Sequence, residues 1–235
     1  VNWFKKLFSK KKTIDTTVEK QKPEKTNDIV VTNTSETYTS IIEAGRRRRE
    51  EYQQALNYSK IRKLVSDSVV LDFETTGLDA EENSIIQIAA VRYRNFEKID
   101  EFSTYINPIV EIPPKITRIT GITEDDVMNA PYLRDMLPKL IDFIGNDTIV
   151  AHNASFDMKF LLTSIYYNKL PYIKFRVIDT LNLSRKYIPD TDNHKLVTLK
   201  RFLKLKHLKS HDALHDCYVT AELYKYCYEQ NLVKI

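Results

Sequence analysis

The chain has 235 residues, 42% of them hydrophobic, which is enough for one substantial core and too little for several. Its two cysteines, Cys217 and Cys227, exclude a disulfide framework, and no apolar run reaches the length of a membrane span, so the expected compartment is a reducing cytoplasm. The formal charge of +4 is unevenly spread: residues 1–66 carry 15 Lys+Arg against 8 Asp+Glu, while residues 67–235 carry 21 against 24. A slightly acidic core is what a set of carboxylates serving metal cations would produce.

At the N-terminus, "VNWFKKLFSKKK" has too short an apolar stretch for a secretory segment. Trp3, Phe4, Leu7 and Phe8 share one helical face, with lysines on the others. That face could touch an anionic membrane surface or a partner groove, or it could be a frayed basic end. Residues 10–39 are polar and poor in large apolar side chains, so residues 1–40 are expected to be a basic, disordered tail and linker. Ser40 with Glu43 resembles a capping box, and a polar helix is expected over residues 41–65. Arg46 to Arg49 could meet nucleic-acid phosphates, or form a solvated face balanced by Glu50 and Glu51.

The folded domain is expected over residues 66–235. "SVVLDFE" reads as a first strand, and residues 84–95 and 97–108 as a second and third joined by a short polar turn. Residues 132–145 have helical spacing, interrupted by Pro138. "DTIVAHN" is another strand, followed by a helix over 155–170. Residues 175–188 pass from strand to helix, 196–208 form a short helix, and 211–230 form the last one. Hairpin-linked strands followed by alternating strand and helix argue for an α/β fold, a mixed sheet with helices packed on it.

Three acidic clusters stand out. In the first strand Asp72 and Glu74 are two residues apart and point to the same face, with Phe73 pointing the other way. Burial and mutual repulsion would raise both pKa values unless a hard cation compensates. The plain alternative is an exposed strand end turned by Gly77. Asp157 ends "AHNASFD", where a strand passes into a helix. It could be a ligand, or a first-turn acid favoured by the helix dipole, with Asn153 or Ser155 capping. His152 reads as a packing or hydrogen-bonding residue. "HDALHD", residues 211–216, pairs His211 with His215 and Asp212 with Asp216 by helical spacing, with Ser210 as the expected cap. Periodicity leaves open which His and which Asp would face a site.

Taken in order, D-x-E on a first strand, N-x-x-F-D at a strand–helix junction and H-x-x-x-x-D late in the chain resemble the DEDDh family of 3′→5′ exonucleases. They are most similar to the proofreading exonucleases of bacterial DNA polymerase III, of the epsilon type. "ETTGL", "IIQIAAV", "INP", "ITGIT" and "DTL" agree with this. The resemblance covers roughly residues 67–230.

It implies a ribonuclease H-like fold with a mixed five-stranded sheet flanked by helices. It selects His211 and Asp216 over His215 and Asp212. It also implies that Asp72, Glu74, Asp157 and Asp216 hold two divalent ions, Mg2+ or Mn2+, with Asp72 bridging and His211 taking a proton from water. Thr75, Thr76, Leu78 and Phe156 would contact the terminal nucleotide, although Phe156 could equally be a core residue. The run from Lys195 to Lys209 has six Lys+Arg and no acid, and could follow a phosphate backbone.

The expected substrate is a single-stranded or frayed 3′ end of DNA, with RNA-end trimming as the rival enzyme. DNA polymerase III subunits are the expected partners. A binding module tethered by its basic tail is the reading from another class. If the family's roles hold, His211→Ala should remove most activity and His215→Ala should not, as measured by nucleotide release from a labelled oligonucleotide. The opposite ranking would reverse the assignment.

Overall fold

A computed structural model of the protein describes residues 34–233. The apolar face of Trp3, Phe4, Leu7 and Phe8 and the linker residues up to 33 lie outside them. The chain divides into two units, residues 1–51 and 52–235. The described part of the first belongs to helix α1 (Thr34–Ala55). This helix begins ahead of Ser40, so Ser40 and Glu43 lie within it and do not cap it. Residues 34–39, expected to be linker, are helical. Arg46 pairs with Glu50 one turn on at 3.7 Å, both exposed, which stabilises a helix by a few tenths of a kcal/mol.

The second unit runs β1 (Ser59–Lys60), β2 (Ser68–Thr75), β3 (Ile85–Arg94), β4 (Glu97–Tyr105), α2 (Pro114–Thr120), α3 (Glu124–Val127), α4 (Leu133–Ile144), β5 (Thr148–Ala151), α5 (Ser155–Tyr167), β6 (Arg176–Asp179), α6 (Thr180–Tyr187), α7 (Leu196–Phe202) and α8 (Ala213–Val233). The sheet order is β1-β6-β5-β2-β3-β4. Strands β1, β6, β5 and β2 are mutually parallel, and β3 and β4 run antiparallel to their neighbours.

The sheet has six strands where five were expected. The extra one is β1, inside the stretch expected to be helical up to residue 65. Ser59 and Lys60 extend because they pair with Arg176 and Val177 at the sheet edge, with Ser59 and Ile61 amides donating to Phe175 and Val177 carbonyls at 2.8 Å. Helices α2 and α3 were also not anticipated. Pro113 and Pro114 open α2, and Gly121 ends it with φ +77, a conformation that suits glycine. Thr123 and Asp126 form a reciprocal capping box on α3. Pro138 sits inside α4 without ending it.

Strand β2 is central and buried on both faces. Val70 joins Ala89, Val91, Val150 and Ile178 beneath Ala213, Cys217, Ala221 and Tyr224 of α8. Val69, Leu71 and Phe73 face the opposite core with Leu140, Ile144, Leu161 and Ile165 of α4 and α5. The two-residue period therefore carries Asp72 and Glu74 onto the α8 side, while Phe73 fixes the strand from behind. Phe73→Ala should cost about 3–5 kcal/mol of stability, the range for truncating a buried aromatic, in urea unfolding. A cost below about 1 kcal/mol, the size of a surface change, would show that Phe73 does not anchor the strand.

Candidate active site

The carboxyl ends of β2 and β5 open into a cleft of about 990 Å3 whose lining includes Asp72, Glu74, Asp157, His211 and Asp216. The ends of parallel strands are where α/β sheets commonly place ligands. All five residues singled out as catalytic or metal-binding in the sequence thus reach one cavity, as do Thr75, Thr76, Leu78 and Phe156.

Each arrives by a different local device. Asp72 and Glu74 come from alternation along β2. Asp157 is in the first turn of α5 and is only 2% exposed. Its Oδ1 accepts a hydrogen bond from the Phe73 amide at 3.2 Å, so the helix acid is tied to the strand between the other two acids. Neither Asn153 nor Ser155 caps α5; its N-cap is Ala154, without a side-chain hydrogen bond. Asn153 instead turns the chain at φ +59, and its amide donates to Asp179 Oδ1 at 3.1 Å. The same Asp179 oxygen accepts from Leu181 N at the start of α6. His152 has both ring nitrogens engaged, with Thr180 Oγ1 and the His194 carbonyl at 2.9 Å each.

The last cluster resolves the helical ambiguity. Helix α8 starts at Ala213, so His211 lies ahead of it, at φ +58. His211 N donates to Asp216 Oδ2 at 3.0 Å. Asp212 instead caps the helix, its Oδ1 accepting from the His215 amide at 3.1 Å. The His215 ring turns to the loop, where Nδ1 accepts from the Lys209 amide at 3.2 Å. Ser210 does not cap α8, and the buried Gln87 of β3 accepts from Ala213 N at 3.0 Å. His211 and Asp216 thus face the cleft, while Asp212 and His215 serve the backbone.

Glu74, His211 and Asp216 each present a ligand atom within 4.8 Å of the others. No lysine or arginine forms an ion pair with any of the four cleft carboxylates among the described residues. Their electrostatics reflect this. Burial, followed by repulsion from Asp157, Asp216 and Glu74, pushes Asp72 well above the usual carboxylate range. Burial likewise raises Asp157, against the pull of backbone amides. Glu74 is pushed up to about 8 by burial and the charges of Asp216 and Asp212. Asp216 is raised to about 6 by burial, with the His211 amide and Lys200 working the other way. Four oxygen donors that repel one another and lack a protein cation suit a hard divalent metal.

The rim divides into parts expected from sequence and parts that were not. Leu78 is 84% exposed at the mouth. Thr75 and Thr76 are buried and spend their hydroxyls internally, Thr75 donating to the Gly77 carbonyl at 2.6 Å and Thr76 accepting from Ser84 N at 2.9 Å. They shape the turn that presents Leu78. A Cβ on Gly77 would collide with the Asn83 side-chain amide. Phe156 is half-buried against Phe160, with ring centroids 4.9 Å apart, and also lines the cleft. Of the basic run only Lys195 lines the cleft; Lys115 of α2 and Arg185 of α6 also do, and sequence reading missed both. Arg185 lies in the last turn of α6, where a basic residue complements the helix dipole, so its type alone gave no signal.

A family model described as "Exonuclease" matches residues 69–224. Curated relatives include the DNA polymerase III PolC-type of Caldanaerobacter subterraneus subsp. tengcongensis, 40% identical over 161 residues, covering 68% of this chain and 11% of that protein. That of Bacillus subtilis is 40% identical over 171 residues, covering 71% and 12%. The chain therefore spans only 11–12% of the length of these relatives. Among solved structures, exonuclease X in complex with 5′ overhanging duplex DNA is 28% identical, with a TM-score of 0.54 over 69% of this chain and 92% of that one. E. coli exonuclease I in complex with a dT13 oligonucleotide shares the fold at 20% identity, with a TM-score of 0.64 over 72% and 42%.

Each raised carboxylate holds its proton more tightly in the folded chain than in the unfolded one, so ionisation works against the fold. His152, lowered chiefly by burial, acts in the opposite sense. A Glu74→Gln/Asp216→Asn chain measured alongside removes that background. Relative to it, the chelated protein should lose melting temperature as pH rises above the ordinary carboxylate range, Asp216 contributing up to about 6 and Glu74 up to about 8. Mg2+ or Mn2+ at the upper end should recover the loss. A constant difference across this window, with no effect of cations, would contradict the repulsion described.

Proposed function

The chain belongs to the exonuclease family, and on that premise we propose that it removes nucleotides from the 3′ end of DNA, releasing nucleoside 5′-monophosphates. The observation that carries this reading is the convergence of Asp72, Glu74, Asp157 and Asp216 with His211 in one cleft. Two divalent ions, Mg2+ or Mn2+, held by those four carboxylates would supply charge stabilisation for in-line displacement at phosphorus and a more acidic water.

The protein's own groups have separate roles in this scheme. The imidazole of His211 takes the proton of the attacking water, the role of general base that histidine fills most often. Asp216 positions it, because the His211 amide is bonded to the Asp216 carboxylate. Leu78, exposed at the mouth, packs against the terminal bases, with Phe156 as a second apolar surface. Lys115, Arg185 and Lys195 offer cations on the cleft walls to phosphates away from the acidic floor. The PolC-type relatives supply the context of the proposal, trimming of a frayed or mismatched 3′ end beside a polymerase.

With 5′-labelled single-stranded DNA and Mg2+, a ladder shortening from the 3′ end is expected, and slower or no trimming of matched RNA. Asp72→Ala should lower the rate by at least about 100-fold, the scale of losing a preorganised charge-stabilising group. Release of the labelled 5′ nucleotide as first product, or full activity of that variant, would overturn the reading.

A further inference from the structure

We infer that Lys200 is a positioning residue that acts through His211. The inference rests on the proposed role of His211 as base. Lys200 belongs to α7, is 9% exposed and forms no ion pair among the described residues. A lysine is seldom so buried without a carboxylate partner. Its ammonium is spent on two neutral oxygens, the Leu208 carbonyl at 2.9 Å and Ser210 Oγ. Both lie on the segment that leads directly into His211.

That segment is held by a few backbone bonds, Leu205 N to the Lys200 carbonyl among them, and by a small set of side chains. Between α7 and α8 the chain makes short backbone turns, Lys204 to Arg201 and Leu208 to Leu205. It passes through two positive-φ residues, Lys204 at +62 and His211 at +58. A non-glycine residue holds that conformation only when its surroundings dictate it. Four side chains do so: Lys200 grips residues 208 and 210, the His215 ring holds Lys209 N, Asp216 holds His211 N, and Gln87 holds Ala213 N. Of these only Lys200 reaches the segment from outside α8 and the sheet. Lys200 thus sets where the His211 backbone sits, and so where its imidazole points.

Lys200→Met keeps the apolar stem and removes the three donors. Its expected effect is a fall in kcat of about tenfold or more with KM within about twofold, as for a displaced catalytic group. The deciding measurement is the double-mutant cycle with His211→Asn, since asparagine tolerates positive φ and cannot act as the base. In the His211→Asn background Lys200→Met should change kcat by less than about twofold. Ser210→Ala removes one partner on the loop and should repeat the pattern at smaller size, which keeps the test open if Lys200→Met does not fold. An equal loss in both backgrounds, or an unchanged kcat in both single variants, overturns the role of Lys200. Full activity of His211→Asn itself would instead overturn the role of His211, a separate failure.

Discussion

Four carboxylates share one cleft, and among the described residues no lysine or arginine forms an ion pair with any of them. In water such a group would disperse; here the backbone forbids it. Asp72 and Glu74 are fixed two residues apart on a central strand, and Phe73 between them is locked into the opposite core. The Phe73 amide in turn holds Asp157. The repulsion is therefore built into a central, buried strand of the sheet, and protons or metal cations relieve it. This constraint explains why the surrounding structure spends so many hydrogen bonds on turns: the fold must hold charges where electrostatics alone would not leave them.

Much of this is legible in the sequence. Alternation in "VVLDFE" determines which residues share a face, so the pairing of Asp72 with Glu74 and the inward turn of Phe73 follow from sequence. The strand–helix order also follows, because each element has its own period. The choice between His211 and His215 does not. Helical periodicity treats them alike, and the distinction arises from a left-handed residue outside the helix and from Asp212 capping it. Those depend on where the chain enters α8, which local spacing does not encode.

The missed elements have different causes. Strand β1 is two polar residues long and exists because β6 offers a free edge, a tertiary cause. Helix α2 was readable: two prolines at its start and a glycine at its end are ordinary boundary signals. Arg185 and Lys115 illustrate a third case. Their types are common on helix surfaces, and only the packing of α2 and α6 around the cleft makes them wall residues.

The positive φ of His211 has a consequence for how this position can vary. In the role proposed for His211, two demands fall on one residue, a ring for chemistry and a backbone geometry that most side chains resist. Loss of the ring by drift would leave the second demand in force. Chains that retain the fold but abandon the chemistry should then carry asparagine, aspartate or glycine at this point, and seldom a β-branched residue. The backbone would keep a record of the base after the base had gone.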